Sequence, residues 1–165
     1  AKKLSAFGGK IYSVNDSKIN KKFIKKNYRL KEVKNIIKNF DIVINALPLT
    51  SVTKNFFNMK IFNEMKKNSY FINISRDQTI NIRDFNIVIK KKKFAGIGID
   101  NTGSFKMKKK IYFNPKINFI LTDHQAGVST NLSRRKELIN NNIYNYYYGK
   151  KLNFIVSKDK EYWWE

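Results

Sequence analysis

The stretch Asp41-Ile-Val-Ile-Asn-Ala-Leu-Pro48 limits the folds open to this chain more than any other. Its apolar residues run together instead of alternating with polar ones. Such a run is expected as a central strand of a parallel sheet, covered on both faces. Pro48 has no N–H to offer a ladder and ends the strand. Two similar runs follow, Ser69-Tyr-Phe-Ile-Asn-Ile-Ser75 and Phe94-Ala-Gly-Ile-Gly-Ile-Asp100, and a shorter one covers 118–122. Gly96 and Gly98 predict a neighbour packed closely on one face of the third run.

Helical spacing separates these runs. Leu30, Val33, Ile36 and Ile37 mark an amphipathic helix ending near Asn39. Asn58 is placed to cap a short helix through Met65. Residues 83–91 predict a helix with Phe85, Val88 and Ile89 inward. Leu132, Leu138, Ile139, Ile143 and Tyr147 predict another, stopped by Gly149. At the start, Leu4 and Phe7 share a helical face and Gly8-Gly9 end that helix. A short strand over 10–15 comes next, then a polar turn and a Lys-rich, weakly patterned segment to residue 28. Strands alternating with helices give an α/β fold with a parallel sheet.

The polar residues after three strands fall on one edge, because parallel strands share polarity. They are Ser75-Arg76, Asp100-Asn101 and Asp123-His124. Ligands of open α/β sheets bind outside the carboxyl ends of the strands. His124 is the one histidine of the chain, and imidazole is the side chain best suited to exchange protons near neutral pH. The residues alone leave two readings of it, a strand cap and a proton-transfer group.

Composition narrows the partners. The net charge is +22, which in isolation points to nucleic acid. The excess is almost all Lys, however, accompanied by Asn, Ile, Phe and Tyr, as an AT-rich coding sequence produces without selection for a partner. Arg29, Arg76, Arg83, Arg134 and Arg135 are the only arginines, and arginine carries most bidentate phosphate and base recognition. The Lys runs at 90–93 and 108–110 are therefore read as solvated surface, with no nucleic-acid partner. No stretch of about 18 apolar residues exists to cross a membrane, and no secretory leader is recognisable at the start. A cytoplasmic location is expected. The chain has no cysteine, so disulfides and thiolate metal sites are excluded. Ala1 is not Met, which predicts a fragment or processed product. Tyr162-Trp163-Trp164 in the tail predicts a segment that docks on another surface.

Four short motifs, in order, resemble the NAD-binding domain of the D-isomer-specific 2-hydroxyacid dehydrogenases from Ala1 to about Val156. They are Ala46-Leu-Pro-Leu-Thr50, Asn73-Ile-Ser-Arg76, Gly96-Ile-Gly-Ile-Asp100 and Thr122-Asp-His-Gln-Ala-Gly127. The resemblance implies a Rossmann-like, doubly wound parallel sheet that lacks its first strand and Gly-rich loop, both of which would precede residue 1. It divides the chain into a partial dinucleotide-binding domain, 1–149, and a tail, 150–165, that would return toward a substrate domain. It implies hydride transfer between a 2-hydroxy or 2-keto acid and NAD or NADP, and a homodimer.

The same resemblance gives roles. His124 would be the proton donor and acceptor, and Arg76 would hold the substrate carboxylate and polarise its carbonyl. Leu47, Pro48, Ile74 and Ser75 would lie against the cofactor. Asp100 would bind its nicotinamide side, with His124 and Gly127 bordering it. Asn15, with Asp16 beside it, stands where the family places the acid that reads the ribose hydroxyls. A neutral Asn does not repel a 2′-phosphate, which leaves NAD and NADP both open. Three departures stand out: Phe105 where the family has the Glu that pairs with its histidine, Asp123 where it has Pro, and Asp77-Gln78 where it has Gly-Gly. The absent loop and Glu also admit a second class, a degenerate remnant or nucleotide-sensing non-enzyme.

Overall fold

In a computed structural model, residues 1–15, 21–100, 118–122, 124–125 and 132–153 are described. The chain opens with helix α1 (Lys2–Ala6), then strands β1 (Ile11–Val14) and β2 (Ile24–Tyr28). Helix α2 (Val33–Ile36) sits between two 3-10 turns. Strand β3 (Ile42–Asn45), helix α3 (Met59–Glu64), strand β4 (Tyr70–Asn73), helix α4 (Ile82–Lys90) and strand β5 (Gly96–Ile99) then alternate. Strand β6 (Phe119–Leu121) and helix α5 (Ser133–Tyr147) complete the order.

Two sheets form, both parallel. One is four-stranded in the order β3-β4-β5-β6, and the other pairs β1 with β2. This is the α/β architecture that the apolar runs require. The local signals act as read: Asn58 caps α3 by accepting from the N–H groups of Lys60 and Ile61, Asn81 caps α4 through Asp84 N, and Gly8 and Gly149 take positive φ just past helix ends.

Strand register assigns the two faces of the larger sheet. Val43, Phe71, Ile97 and Phe119 lie in one row across it, and Ile44, Ile72, Gly98 and Ile120 in the next row, on the opposite face. The first face meets α2, α3 and α4. Phe62, Phe71 and Phe85 are completely buried there, with Val33, Ile37, Val88 and Ile89 around them. Their rings, with Phe57 and Phe94, form one aromatic cluster in which Phe71 touches all four others.

The opposite face is largely uncovered, and here two expectations need correcting. The run 41–48 is not buried on both sides: Ile42 is 54% and Ile44 40% exposed. Among the described residues, strand β3 is an outer strand that pairs only with β4, and all the helices in the core cluster pack on the other face. Strand β1 has a partner, β2, formed by the Lys-rich segment expected to be irregular. Lys25 and Lys26 are exposed on this short strand, and charged side chains are what an edge strand tolerates best. Val14 of β1 packs against the core and the Tyr12 ring lies 5.1 Å from that of Phe40.

Gly96 shows why the third run needs glycine. A Cβ there would meet the Tyr70 ring at 2.8 Å and the Asn118 amide nitrogen at 3.2 Å. Gly96→Ala is expected to displace the Tyr70 ring, at a cost of about 1 kcal/mol, the low end for overpacking because Tyr70 borders solvent. In a Tyr70→Ala background the same substitution should cost little, as urea unfolding of the double-mutant cycle will show. Equal costs in both backgrounds would contradict the contact.

One ion pair occurs among the described residues, Lys66 to Asp41 at 2.5 Å. The Lys66 ammonium holds the Asp41 carboxyl below its ordinary value by hydrogen bonding and by charge. The sign follows: the pair's contribution is present above the ordinary Asp value and fades as pH falls through the lowered one. Both groups are well exposed, so it adds little to stability.

Candidate functional site

Strands β3 to β6 all end on one edge, and register fixes the offsets. Asn45 lies opposite Asn73, Asn73 opposite Ile99, and Ile99 opposite Leu121. Leu47-Pro48, Ile74-Ser75-Arg76, Asp100 and Thr122 to Gln125 therefore emerge side by side. Arg76 and His124 come from strands separated by β5 alone.

A buried polar network fixes the first half of this edge. Asn45 Nδ2 donates to Asn73 Oδ1 at 2.8 Å and to Thr79 Oγ1 at 2.7 Å. Asn45 Oδ1 accepts from Leu47 N, and Asn73 Oδ1 accepts from Ser75 N. Thr79 Oγ1 donates to the Arg76 carbonyl at 2.6 Å, and Ser75 Oγ donates to the Leu47 carbonyl. The backbones of Leu47, Ser75 and Arg76 are thus tied together by side chains that are almost wholly inaccessible. Of these side chains only Asn73 leaves a buried atom, Nδ2, without a partner, and the remaining bonds hold the network in one arrangement. Asn45 and Thr79 have no role assigned from sequence, and Asn73 enters only as the first residue of the Asn73-Ile-Ser-Arg76 motif. The available signal was an Asn closing each of two apolar runs, Ile-Val-Ile-Asn45 and Phe-Ile-Asn73.

Above that network the Arg76 side chain is exposed, and its guanidinium has no hydrogen bond or ion pair among the described residues. Pro48 and Ile74 are exposed beside it, Ile74 at 42%. Asp77-Gln78, where the resemblance has Gly-Gly, starts a 3-10 turn (Asp77–Thr79), with Gln78 N donating to Asp77 Oδ1.

On the second half of the edge, Asp100 is 8% exposed. Its Oδ1 accepts from Thr122 Oγ1 at 2.5 Å and from Gln125 N at 2.8 Å. His124 is exposed, with φ of +53°. A groove of about 480 Å³ runs along the uncovered sheet face over Gly98, between Ile72 and Ile120, and reaches Thr122 and Gln125.

The structure thus brings Leu47, Pro48, Ile74, Ser75, Arg76, Asp100 and His124 to one edge. Asn15 follows β1 in the smaller sheet, where its N–H donates to the Tyr28 carbonyl. Asp16, Phe105, Asp123 and Gly127 lie outside the described residues, as does the Trp-containing end of the tail. Among the described residues no group of His, Asp or Glu could hold a metal, and no helix is long and apolar enough to cross a membrane.

Comparison with known proteins places this edge in context. The family model described as D-isomer specific 2-hydroxyacid dehydrogenase, NAD binding domain, matches residues 1–126. A glyoxylate reductase of Pyrococcus horikoshii is 27% identical over 107 residues, 62% of this chain and 30% of the reductase. A truncated formate dehydrogenase 2 of Saccharomyces cerevisiae is 25% identical over 131 residues, 76% of this chain and 56% of that protein. In fold, a D-isomer specific 2-hydroxyacid dehydrogenase from Xanthobacter autotrophicus, solved with NADPH and MES, superimposes with a TM-score of 0.82 at 18% identity. That superposition covers 95% of this chain and 64% of the Xanthobacter chain. The chain therefore spans under two thirds of the length of each of these relatives.

Proposed function

This chain belongs to the D-isomer specific 2-hydroxyacid dehydrogenase family, within its NAD-binding domain, and from that premise we propose that it serves an oxidoreductase interconverting a 2-hydroxy acid and its 2-keto acid. The observation that carries the proposal is the pairing at the sheet edge. Arg76 and His124, both exposed and both without a partner among the described residues, emerge from the same end of one parallel sheet.

Each group suits a distinct task. The Arg76 guanidinium presents a planar fork that matches a carboxylate bidentately. The His124 imidazole gives a proton to the keto oxygen in reduction and takes it back in oxidation. Pro48 and Ile74 offer the apolar surface that a flat nicotinamide ring requires, so the edge fits NAD or NADP. A bound nicotinamide cofactor supplies or accepts the hydride. Asn15, neutral and exposed after β1, admits either the ribose hydroxyl or the 2′-phosphate. Residues 1–149 are then a partial dinucleotide-binding domain, and 150–165 lead back toward a substrate domain. The described start of that segment is held to α5 by two hydrogen bonds between the Asn142 side chain and the Asn153 backbone. A homodimer and a cytoplasmic location complete the reading.

Absorbance of NAD(P)H with glyoxylate, hydroxypyruvate or phenylpyruvate tests the proposal. Arg76→Lys, which keeps the charge and loses the fork, is expected to raise the KM for the keto acid about 10- to 100-fold, the loss of one charge-assisted hydrogen bond. An unchanged KM would remove Arg76 from the substrate.

A second reading is a nucleotide-sensing or degenerate non-enzyme. It is favoured by Phe105, which stands where the family resemblance places the Glu that pairs with the histidine, since Phe cannot orient an imidazole as a carboxylate does. Nicotinamide fluorescence titration discriminates: tight binding without turnover supports a sensor, and absence of binding supports a remnant.

A further inference from the structure

We propose that Asp100 is a positioning residue, whose carboxylate latches the turn that carries His124 and holds it in its left-handed conformation. By resemblance the carboxylate would serve the cofactor. The geometry gives it another task. A single oxygen, Asp100 Oδ1, accepts from Thr122 Oγ1 at 2.5 Å and from Gln125 N at 2.8 Å. One donor precedes His124 and the other follows it, so the carboxylate bridges the turn at both ends.

Asp100 is itself anchored. Its N–H donates to the Asn73 carbonyl at 2.9 Å, and Thr122 N donates to the Ile99 carbonyl at 2.9 Å. The latch therefore stands on β4, β5 and β6 together, and Asp100 is 8% exposed. What it holds is a backbone that does not hold itself. His124 has φ of +53°, uncommon for any residue but Gly even though His enters it more often than most, and it persists only where the surroundings over-determine it. His124 is exposed. Among the described residues, Asp100 bonds the chain on both sides of it. The consequence for chemistry rests on the proposed role of His124: if it transfers the proton, Asp100 decides where the imidazole is presented.

The test uses the full 165-residue chain labelled with ¹⁵N and ¹³C, in which the only histidine gives one unambiguous set of signals. A positive φ brings HN and Hα of the same residue close, so wild-type His124 should show a strong intraresidue HN–Hα NOE. In Asp100→Ala that NOE is expected to fall to the level of an averaged backbone. In Asp100→Asn, which keeps an acceptor oxygen in place, it is expected to persist. Dispersed ring signals of Phe62 and Phe71 report that the core is intact. An unchanged NOE in a folded Asp100→Ala chain overturns the proposal, as does its loss in a folded Asp100→Asn chain. If Asp100→Ala loses the ring dispersion, Thr122→Val decides, since it removes one bond of the latch without altering the carboxylate. A weakened NOE then supports the latch, and an unchanged one overturns it. None of these readings uses turnover, so the latch stands or falls separately from the oxidoreductase proposal.

Discussion

His124→Asn is expected to lower kcat for NAD(P)H-dependent keto-acid reduction by roughly 10²–10⁴-fold, the range for removal of a general acid. Asn is the informative replacement because it tolerates the left-handed backbone that His124 adopts at φ +53°. It removes the imidazole and leaves the turn. Arg76 is untouched, so ground-state binding of the carboxylate should change little. kcat and kcat/KM should then fall together, as they do when an interaction made only in the transition state is lost. A decrease smaller than about tenfold would mean that His124 is a strand cap.

The second large effect is on folding. Phe71→Ala is expected to destabilise the protein by about 3–5 kcal/mol, the usual cost of emptying a buried aromatic site. Phe71 has no exposure, and its ring lies 5.1 to 6.0 Å from those of Phe57, Phe62, Phe85 and Phe94. Those rings belong to separate segments and cannot close together on the cavity without moving strand and helices. A domain of this size has only about 5–15 kcal/mol in total, so the loss approaches unfolding. Urea midpoints at constant slope measure it. Tyr70, the preceding residue, points to the uncovered face and is 43% exposed. Tyr70→Ala should therefore cost far less, and equal costs for the two would contradict the one-sided packing. Because β4 carries Asn73 at its end, a loosened Phe71 would also disturb the network that fixes Arg76.

The parts of the molecule that could be read from sequence are those where a local signal and tertiary packing agree. The three long apolar runs became β3, β4 and β5 because their Ile, Val and Phe side chains have a helical layer to meet. Asn58 and the Phe85, Val88 and Ile89 stripe behaved as their spacing required. Strand β2 escaped because Lys25 and Lys26 carry no apolar alternation, and its pairing depends on β1. The exposure of Ile42 and Ile44 escaped for the opposite reason. Their composition says buried, while the sheet order and the placement of the helices decide that they face outward. At the site, strand polarity alone was enough to bring Arg76, Asp100 and His124 to one edge. It could not say what Asp100 bonds, because that depends on a turn 22 to 25 residues further along the chain. Nor could it reveal that Asn45 and Asn73 pair beneath Arg76.

The central claim is that Arg76 and His124 act on one small 2-keto acid. Its most direct test is a titration of the labelled chain with glyoxylate, following the Arg76 Nε–H and His124 Cε1–H signals, with acetate at equal ionic strength as the control for general anion binding to so basic a chain. The account predicts that both signals move along one curve with a single dissociation constant, and that acetate reproduces the shift at Arg76 far better than at His124. Movement of the two signals with different dissociation constants, or of neither while surface lysines respond, would contradict it.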